Sequence, residues 1–284
     1  MTPADGGADL HLHTTFSDGL YSPEQLVAQA RAKGLRAIAV TDHDSLGAVA
    51  SCRAAAEAGG IEVISGVEFG TPHDPGAGGE EIHIVGLFLD HGGAVLADAL
   101  AAFALRRRER VAKMSEQLNR CGVTLRPEQV FALATRGTVG RLHVARALVA
   151  AGHVGTIGAA FSQWLSPDRP AYVPQARPGA AETIALIHRA GGAAVMAHPG
   201  QTRRDAEIPA LVEAGLDGLE AFCADHSAEA ARRYTDLAGK FGLLLSGGSD
   251  DHGRETGGGL GTVRVPMECV EALRRRARDH AEAV

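Results

Sequence analysis

His11 and His13 stand two apart in DLHLHTTFSDG, and Asp18 follows five residues after the second. The same residue types recur in five further places: His43 between Asp42 and Asp44 in AVTDHD, Glu68 in ISGVEF, His83 in EIHIVG, His198 in AVMAHPG, and Asp250 with His252 in GGSDDHG. Imidazoles mixed with carboxylates suit divalent zinc, manganese or iron. A carboxylate such as Glu68 can bridge two ions, and bridged ions activate water and neutralise a phosphoryl transition state. Each group has a plain reading when taken alone. His-x-His can be chance, Asp44 or Ser45 can cap a helix, and a histidine before proline can be a loop residue. Recurrence decides the matter, because the plain reading needs a separate accident in every place.

The elements that must carry these residues are strands. Ala8–Leu12, Arg36–Thr41, Ile61–Ser65 and Glu81–Phe88 read as buried strands. Ser22-Pro23-Glu24 is a helix start with a capping residue and proline at the first position, and that helix stops at Gly34. A second helix spans Ser45–Ala58. DPGAGGEE, residues 74–81, is a loop rich in turn formers. Short βα units of this kind predict a parallel sheet or barrel. In such a barrel the carboxyl ends of all strands open at one face, where residues distant in sequence converge. Alternate residues of a strand point one way, so His11 and His13 share a side.

The pattern changes at residue 94. Ala94–Arg120 predicts one long helix containing LRRRER, followed by short helices at 127–134, 141–150 and 156–164. A strand is next expected at Tyr172. Residues 94–170 therefore read as a helical insertion within a barrel formed by 1–93 and 171–284. Helices at 180–190, 205–214, 228–240 and 267–283 then alternate with strands AAVMA, DGLEAF, LLLSGG and GTVRV. On the long helix Arg107 lies three residues from Arg110, and Arg106 four, spacings that share a face. Arg141 and His143 sit at a helix start, where backbone N–H groups favour phosphate. Trp164 reads as core of the insertion.

Composition removes several function classes. The formal charge of −6 argues against a stable nucleic-acid complex. No apolar run is long enough to span a bilayer, and the first residues lack a secretory pattern. Cys52, Cys121, Cys223 and Cys269 are widely spaced with no Cys-x-x-Cys, which suits free thiols in a reducing cytoplasm.

In order, DLHLHTTFSDG, AVTDHD, ISGVEF, IHIVG, AHPG and GGSDDHG resemble the PHP (polymerase and histidinol phosphatase) family of metal-dependent phosphoesterases. The resemblance implies an α/β fold, a distorted (β/α)7 barrel holding two to three divalent ions of manganese, zinc or iron. It implies that His11, His13, Glu68 and Asp250 hold one ion, that Glu68, His83 and His198 hold a second, and that Asp18, His43 and His252 hold a third. Asp251 departs from the apolar residue common in relatives and adds charge beside the site. GRLHVARALV, AYVPQARP and GLEAFCADHS resemble the branch that dephosphorylates nucleoside 3′,5′-bisphosphates, some members of which trim short RNA from its 5′ end.

The expectation is a cytoplasmic phosphatase acting on a small nucleotide, such as adenosine 3′,5′-bisphosphate, or on a short oligonucleotide. Glu68 and Asp250 are the expected catalytic carboxylates, and His226 an expected proton donor or phosphate contact. Arg107, Arg110, Arg141 and His143 are the expected substrate-binding residues. Asp42 is expected to orient a ligand histidine. The rivals are a 5′–3′ exoribonuclease, a histidinol phosphatase and a metal-binding regulatory module.

Overall fold

The computed structural model describes residues 6–57, 59–72, 81–90, 92–134, 136–253 and 259–283. Most of the loop expected at 74–81, and the end of the helix expected to reach Ala58, lie outside these residues. The first half contains β1 (Ala8–Leu12), α1 (Pro23–Ala32), β2 (Ala37–Val40), α2 (Val49–Ala56), β3 (Glu62–Gly70) and β4 (His83–Leu87). The helical insertion follows, with α3 (Ala94–Arg120), α4 (Pro127–Phe131), α5 (Arg141–Ala150) and α6 (Ile157–Ala160). The chain ends through α7 (Ala180–Arg189), β5 (Ala193–Met196), α8 (Pro199–Thr202), α9 (Ile208–Glu213), β6 (Gly218–Cys223), α10 (Ala228–Phe241), β7 (Leu244–Gly248) and α11 (Met267–Ala283). Among the described residues no helix is long and apolar enough to cross a membrane.

The seven strands lie in sequence order and form the expected distorted barrel. One strand breaks the parallel rule. β4 runs antiparallel to both β3 and β5. Among the described residues no helix lies between β3 and β4, and Gly70 pairs with His83 across the two antiparallel strands. His83 thus reaches the mouth from the start of its strand, whereas the other ligand-type residues lie at or beyond strand ends. Asp250 N donates to His11 O (3.0 Å) and His13 N to Asp251 O (3.1 Å), which brings the end of β7 alongside β1. A Cβ on Gly248 would lie 2.4 Å from His11, so only glycine permits that approach.

Local chemistry explains most boundaries. Ser22 Oγ accepts the Gln25 N–H, Gln25 Oε1 accepts the Ser22 N–H, and Gly34 stops the turn at φ 71°. Three expectations need correction. α2 begins at Val49, not Ser45, because Asp44 sits in the left-handed region at φ 51° and its carboxylate turns away from the helix. GTVRV forms no strand; only Val265 pairs with Ala8, since the residues after β7 take the next positions on that edge of β1. No strand forms at Tyr172, where Arg110 satisfies Val173 O in place of a neighbouring chain.

The strands are buried along nearly their whole length. Helices α1, α2, α7, α10 and α11 pack apolar faces around them. The insertion has its own core, in which Val111, Met114, Leu118, Leu125, Val144, Leu148 and Leu165 pack together with Trp164 against them.

Candidate active site

His11 Nε2 and His13 Nε2 approach Glu68 Oε2 at 3.3 and 3.2 Å, and Asp250 Oδ1 at 3.5 and 3.2 Å. Glu68 Oε1 meets His83 Nδ1 at 2.6 Å and His198 Nε2 at 3.0 Å, while His43 Nδ1 lies 3.0 Å from its Oε2. Five imidazoles therefore surround one carboxylate that is 1% exposed. Beside them, Asp18 Oδ1 lies 3.2 Å from His252 Nε2 and 3.9 Å from His43 Nε2. The fold thus brings the nine metal-type residues named from the sequence into three adjoining groups.

These atoms fit ions better than hydrogen bonds. His11 Nε2, His13 Nε2, His43 Nδ1, Asp18 Oδ1, Glu68 Oε2 and Asp250 Oδ1 are shielded from water without a hydrogen-bond partner. Leaving a buried polar atom unpaired costs about 1–3 kcal/mol, and shared divalent ions remove that cost. The groups are divalent-metal sites in their chemistry. Protonation follows the same logic. Burial pushes the His13 imidazole down, but Asp250 and Glu68 overcome it and hold it up at about 10. Burial opposes the charge on His83 too, yet Glu68 holds it up at about 9. Burial works against the charge of Glu68, but His43, His83 and His11 keep it well below its ordinary value. Protons on these rings stand where ions would go, so ion binding releases them.

Carboxylates that the sequence reading missed hold the cluster from beneath. Glu220 Oε1 accepts from His11 Nδ1 (3.0 Å), which turns Nε2 toward Glu68, and Glu220 Oε2 accepts the His198 N–H (2.8 Å). Asp9 accepts Ser249 N and Oγ (2.9 and 2.7 Å) and Gly261 N (2.9 Å), anchoring the loop of Asp250. Burial pushes its carboxyl up to about 6 against these donors. Asp42 reaches His13 through Ser17, whose hydroxyl donates to Asp42 (2.6 Å) and lies 3.3 Å from His13 Nδ1. A charged residue inside an apolar strand, as in ADLHL and GLEAF, was the available signal for Asp9 and Glu220. Asp44, His198 and Asp250 all have positive φ, at 51°, 28° and 52°. Such strain costs about 1–3 kcal/mol per residue and gathers at functional sites.

A cleft of about 590 Å³ adjoins the cluster, with Asp18, His43 and His83 at its wall and Arg107, Arg110, Arg141 and Arg177 around it. The four guanidiniums are not equivalent. Arg107 and Arg177 both donate to Asp44, which is buried. Arg110 donates to Val173 O (2.7 Å) and Gln175 Oε1 (2.8 Å), and burial with Arg141 nearby lowers it to about 9. Arg141 is held more loosely, 3.6 Å from Glu81 and over the Tyr172 ring. Arg106 faces outward over Phe103 and does not share the buried face of Arg107 and Arg110. The His143 ring is buried and accepts the Gly140 N–H (3.2 Å), capping its own helix, and burial lowers it to about 4. His226 Nδ1 donates to Ala221 O (2.9 Å), which leaves Nε2 to accept the Gly200 N–H (3.2 Å). It lines a separate surface depression with Arg203 and Asp225. Asp251 Oδ1 accepts the Gly253 N–H (3.0 Å) and so shapes its loop.

Carboxylates and imidazoles gathered at one barrel mouth suit hydrolysis assisted by divalent metal, and with the family match that follows the chain is a metal-dependent phosphoesterase. The PHP domain model matches residues 9–255, and the chain belongs to that family. It is 34% identical over 251 residues to the 5′–3′ exoribonuclease Rnm of Salmonella typhimurium, covering 86% of this chain and 84% of the relative. It is 33% identical over 260 residues to the 3′,5′-nucleoside bisphosphate phosphatase of Chromobacterium violaceum, covering 88% of each. A crystal structure of a Bifidobacterium adolescentis protein superimposes with a TM-score of 0.87 at 33% identity, over 97% of this chain and 98% of the other.

Proposed function

We propose that the chain is a phosphatase that removes the 3′-phosphate of nucleoside 3′,5′-bisphosphates, giving a 5′-mononucleotide and phosphate. One observation carries the reading: a cationic cleft opens directly beside the histidine–carboxylate cluster. Its volume lies within the roughly 300–1,000 Å³ usual for small-ligand sites. Leu142, Ile157 and Phe161 give it an apolar wall for a base.

His11, His13, Glu68 and Asp250 would hold one ion, Glu68, His83 and His198 a second, and Asp18, His43 and His252 a third. Bound manganese, zinc or iron supplies an activated water and charge for the phosphoryl transition state. The chain's own residues do the rest. Glu220 fixes the tautomer of His11, and Ser17 with Asp42 does the same for His13. Arg141, at the N-terminus of α5, and Arg110 bind the phosphate that is not cut. Arg107 supports the cleft through Asp44 and does not contact substrate. His226 takes no part, because both its ring nitrogens are committed, and His143 serves its own helix through Nδ1.

Phosphate release tests this. Manganese-loaded protein releases phosphate from adenosine 3′,5′-bisphosphate faster than from adenosine 5′-monophosphate. Equal, slow rates on both overturn the substrate. Faster release of mononucleotides from a 5′-phosphorylated RNA oligomer favours the exoribonuclease reading, which the Salmonella relative supports.

A further inference from the structure

The outer group, Asp18, His43 and His252, stands on loops that the helical insertion grips. Thr138 is the common point. Its N–H donates to Phe16 O (3.0 Å), in the loop that presents Asp18. Its hydroxyl donates to the carbonyl of His43 (2.6 Å). One buried residue of the insertion therefore staples together the two loops that supply these ligands. Gly137 presses on the same loop, and a Cβ there would lie 1.6 Å from Phe16 O. From α5, Arg146 Nη2 donates to the carbonyl of Asp18 itself (2.8 Å). His252 joins the same assembly, because its carbonyl accepts the Leu20 N–H (2.9 Å).

The inner groups rest on barrel residues. Glu220 in β6 supports His11 and His198, and Asp9 in β1 anchors the loop of Asp250. A metal position needs ligand atoms held within a few tenths of an ångström. Asp18 lies six residues beyond β1, and His43 three beyond β2, where a bridge to Glu68 ties it to the barrel; the insertion adds the hydrogen bonds that hold both loops together.

We propose that Thr138, with Gly137 and Arg146, is a positioning element for the third ion, so that the insertion completes a metal position as well as walling the cleft. The proposal rests on the metal-site reading above. It requires no contact between these residues and the ion, because they act on the carbonyls of Asp18 and His43 and on the loop between them.

The test counts metal. Thr138→Val keeps the shape and the backbone N–H and removes only the hydroxyl. Protein is loaded with manganese and desalted, and bound metal is measured by mass spectrometry, with affinities from chelator competition. Wild type retains an ion for each of the three groups. Thr138→Val retains two, and its third dissociation constant rises by roughly 10- to 100-fold, the usual effect of losing an outer support. Thr138→Ser restores the third ion, and Arg146→Met loses it. Melting of the metal-free variants shows that each is folded. A Thr138→Val protein that keeps three ions at wild-type affinity overturns the proposal and leaves the metal reading standing. So does one that loses ions from all positions alike. A wild type that holds two ions overturns the proposal and leaves the inner metal groups standing; one that holds none overturns the metal reading, and the proposal with it.

Discussion

Asp44→Asn keeps the side chain's shape and removes its charge from between Arg107 and Arg177. Arg107 Nε donates to Asp44 Oδ2, and Arg177 reaches both oxygens at 3.2 and 2.8 Å. All three side chains are at most 8% exposed, so water does not replace the lost carboxylate. Breaking a buried charge cluster by removing one partner costs roughly 3–5 kcal/mol. Arg177 keeps Gly70 O at 3.0 Å and Arg107 keeps Val139 O at 3.4 Å, which places the loss at the lower end. About 3 kcal/mol, at roughly 2 °C per kcal/mol for a chain of this size, lowers the melting temperature by about 6 °C. The pH dependence carries a second signature. Burial works against the charge of Asp44, but the two arginines hold its carboxyl below the ordinary value. A depressed carboxylate contributes stability that is present above its unfolded pKa, about 4, and lost as pH falls through the folded value. Wild type and variant thus differ fully at neutral pH and converge in acid. Urea unfolding of the metal-free proteins across that range measures both. A loss under about 0.5 kcal/mol, the size of an ordinary surface substitution, refutes the reasoning. A gap that stays open in acid refutes it equally.

Arg141→Ala raises KM for the bisphosphate roughly 10- to 100-fold with little change in kcat, since one charge-assisted hydrogen bond is worth about 1.5–3 kcal/mol; an unchanged KM in steady-state assays removes Arg141 from the site. Glu220→Gln weakens metal binding roughly 10- to 100-fold by loosening His11, as chelator competition will show, and wild-type affinity contradicts the role given to Glu220. Asp217 lies at the opposite end of the barrel, where Arg276 pairs with it and His188, the Ala194 N–H and His280, against burial, hold its carboxyl near 2. The shift from 3.8 to about 2 makes Asp217→Asn cost about 2 kcal/mol at neutral pH. That contribution is present above the unfolded value and disappears as pH falls through the folded one, so acid unfolding curves of wild type and variant converge.

The metal-type residues were legible because their chemistry is costly to bury without a purpose and because it recurred. Helices with strong local signals were also legible: α3, α5 and α11 start and stop where the pattern placed them. The direction of β4 was not, since EIHIVGLF reads the same in a parallel or an antiparallel pair. Asp44 looked like a helix cap because capping is its commonest local use, and the arginines that claim it lie 63 and 133 residues away. The same distance hid Arg177 and Thr138, whose roles exist only once the insertion has docked. Arg107, Arg110 and Arg141 line one cleft, but spacing alone does not tell a guanidinium tied to a carboxylate from one held loosely.

The inverted β4 also explains where the chain acquires its long helix. A strand that enters at the mouth must leave at the floor, and Leu87 does so close to where β5 begins. The chain is then stranded at the wrong end of the barrel for chemistry. The 27 residues of α3 climb about 40 Å at 1.5 Å per residue, far enough to travel from floor to mouth and project beyond the rim. Arg107 and Arg110 are met about halfway up this staircase, and Arg141, Leu142, Ile157 and Phe161, from the helices built above it, wall the cleft beside the cluster. One reversed strand therefore turns a connection that would have been a short crossover into the riser that delivers a roof.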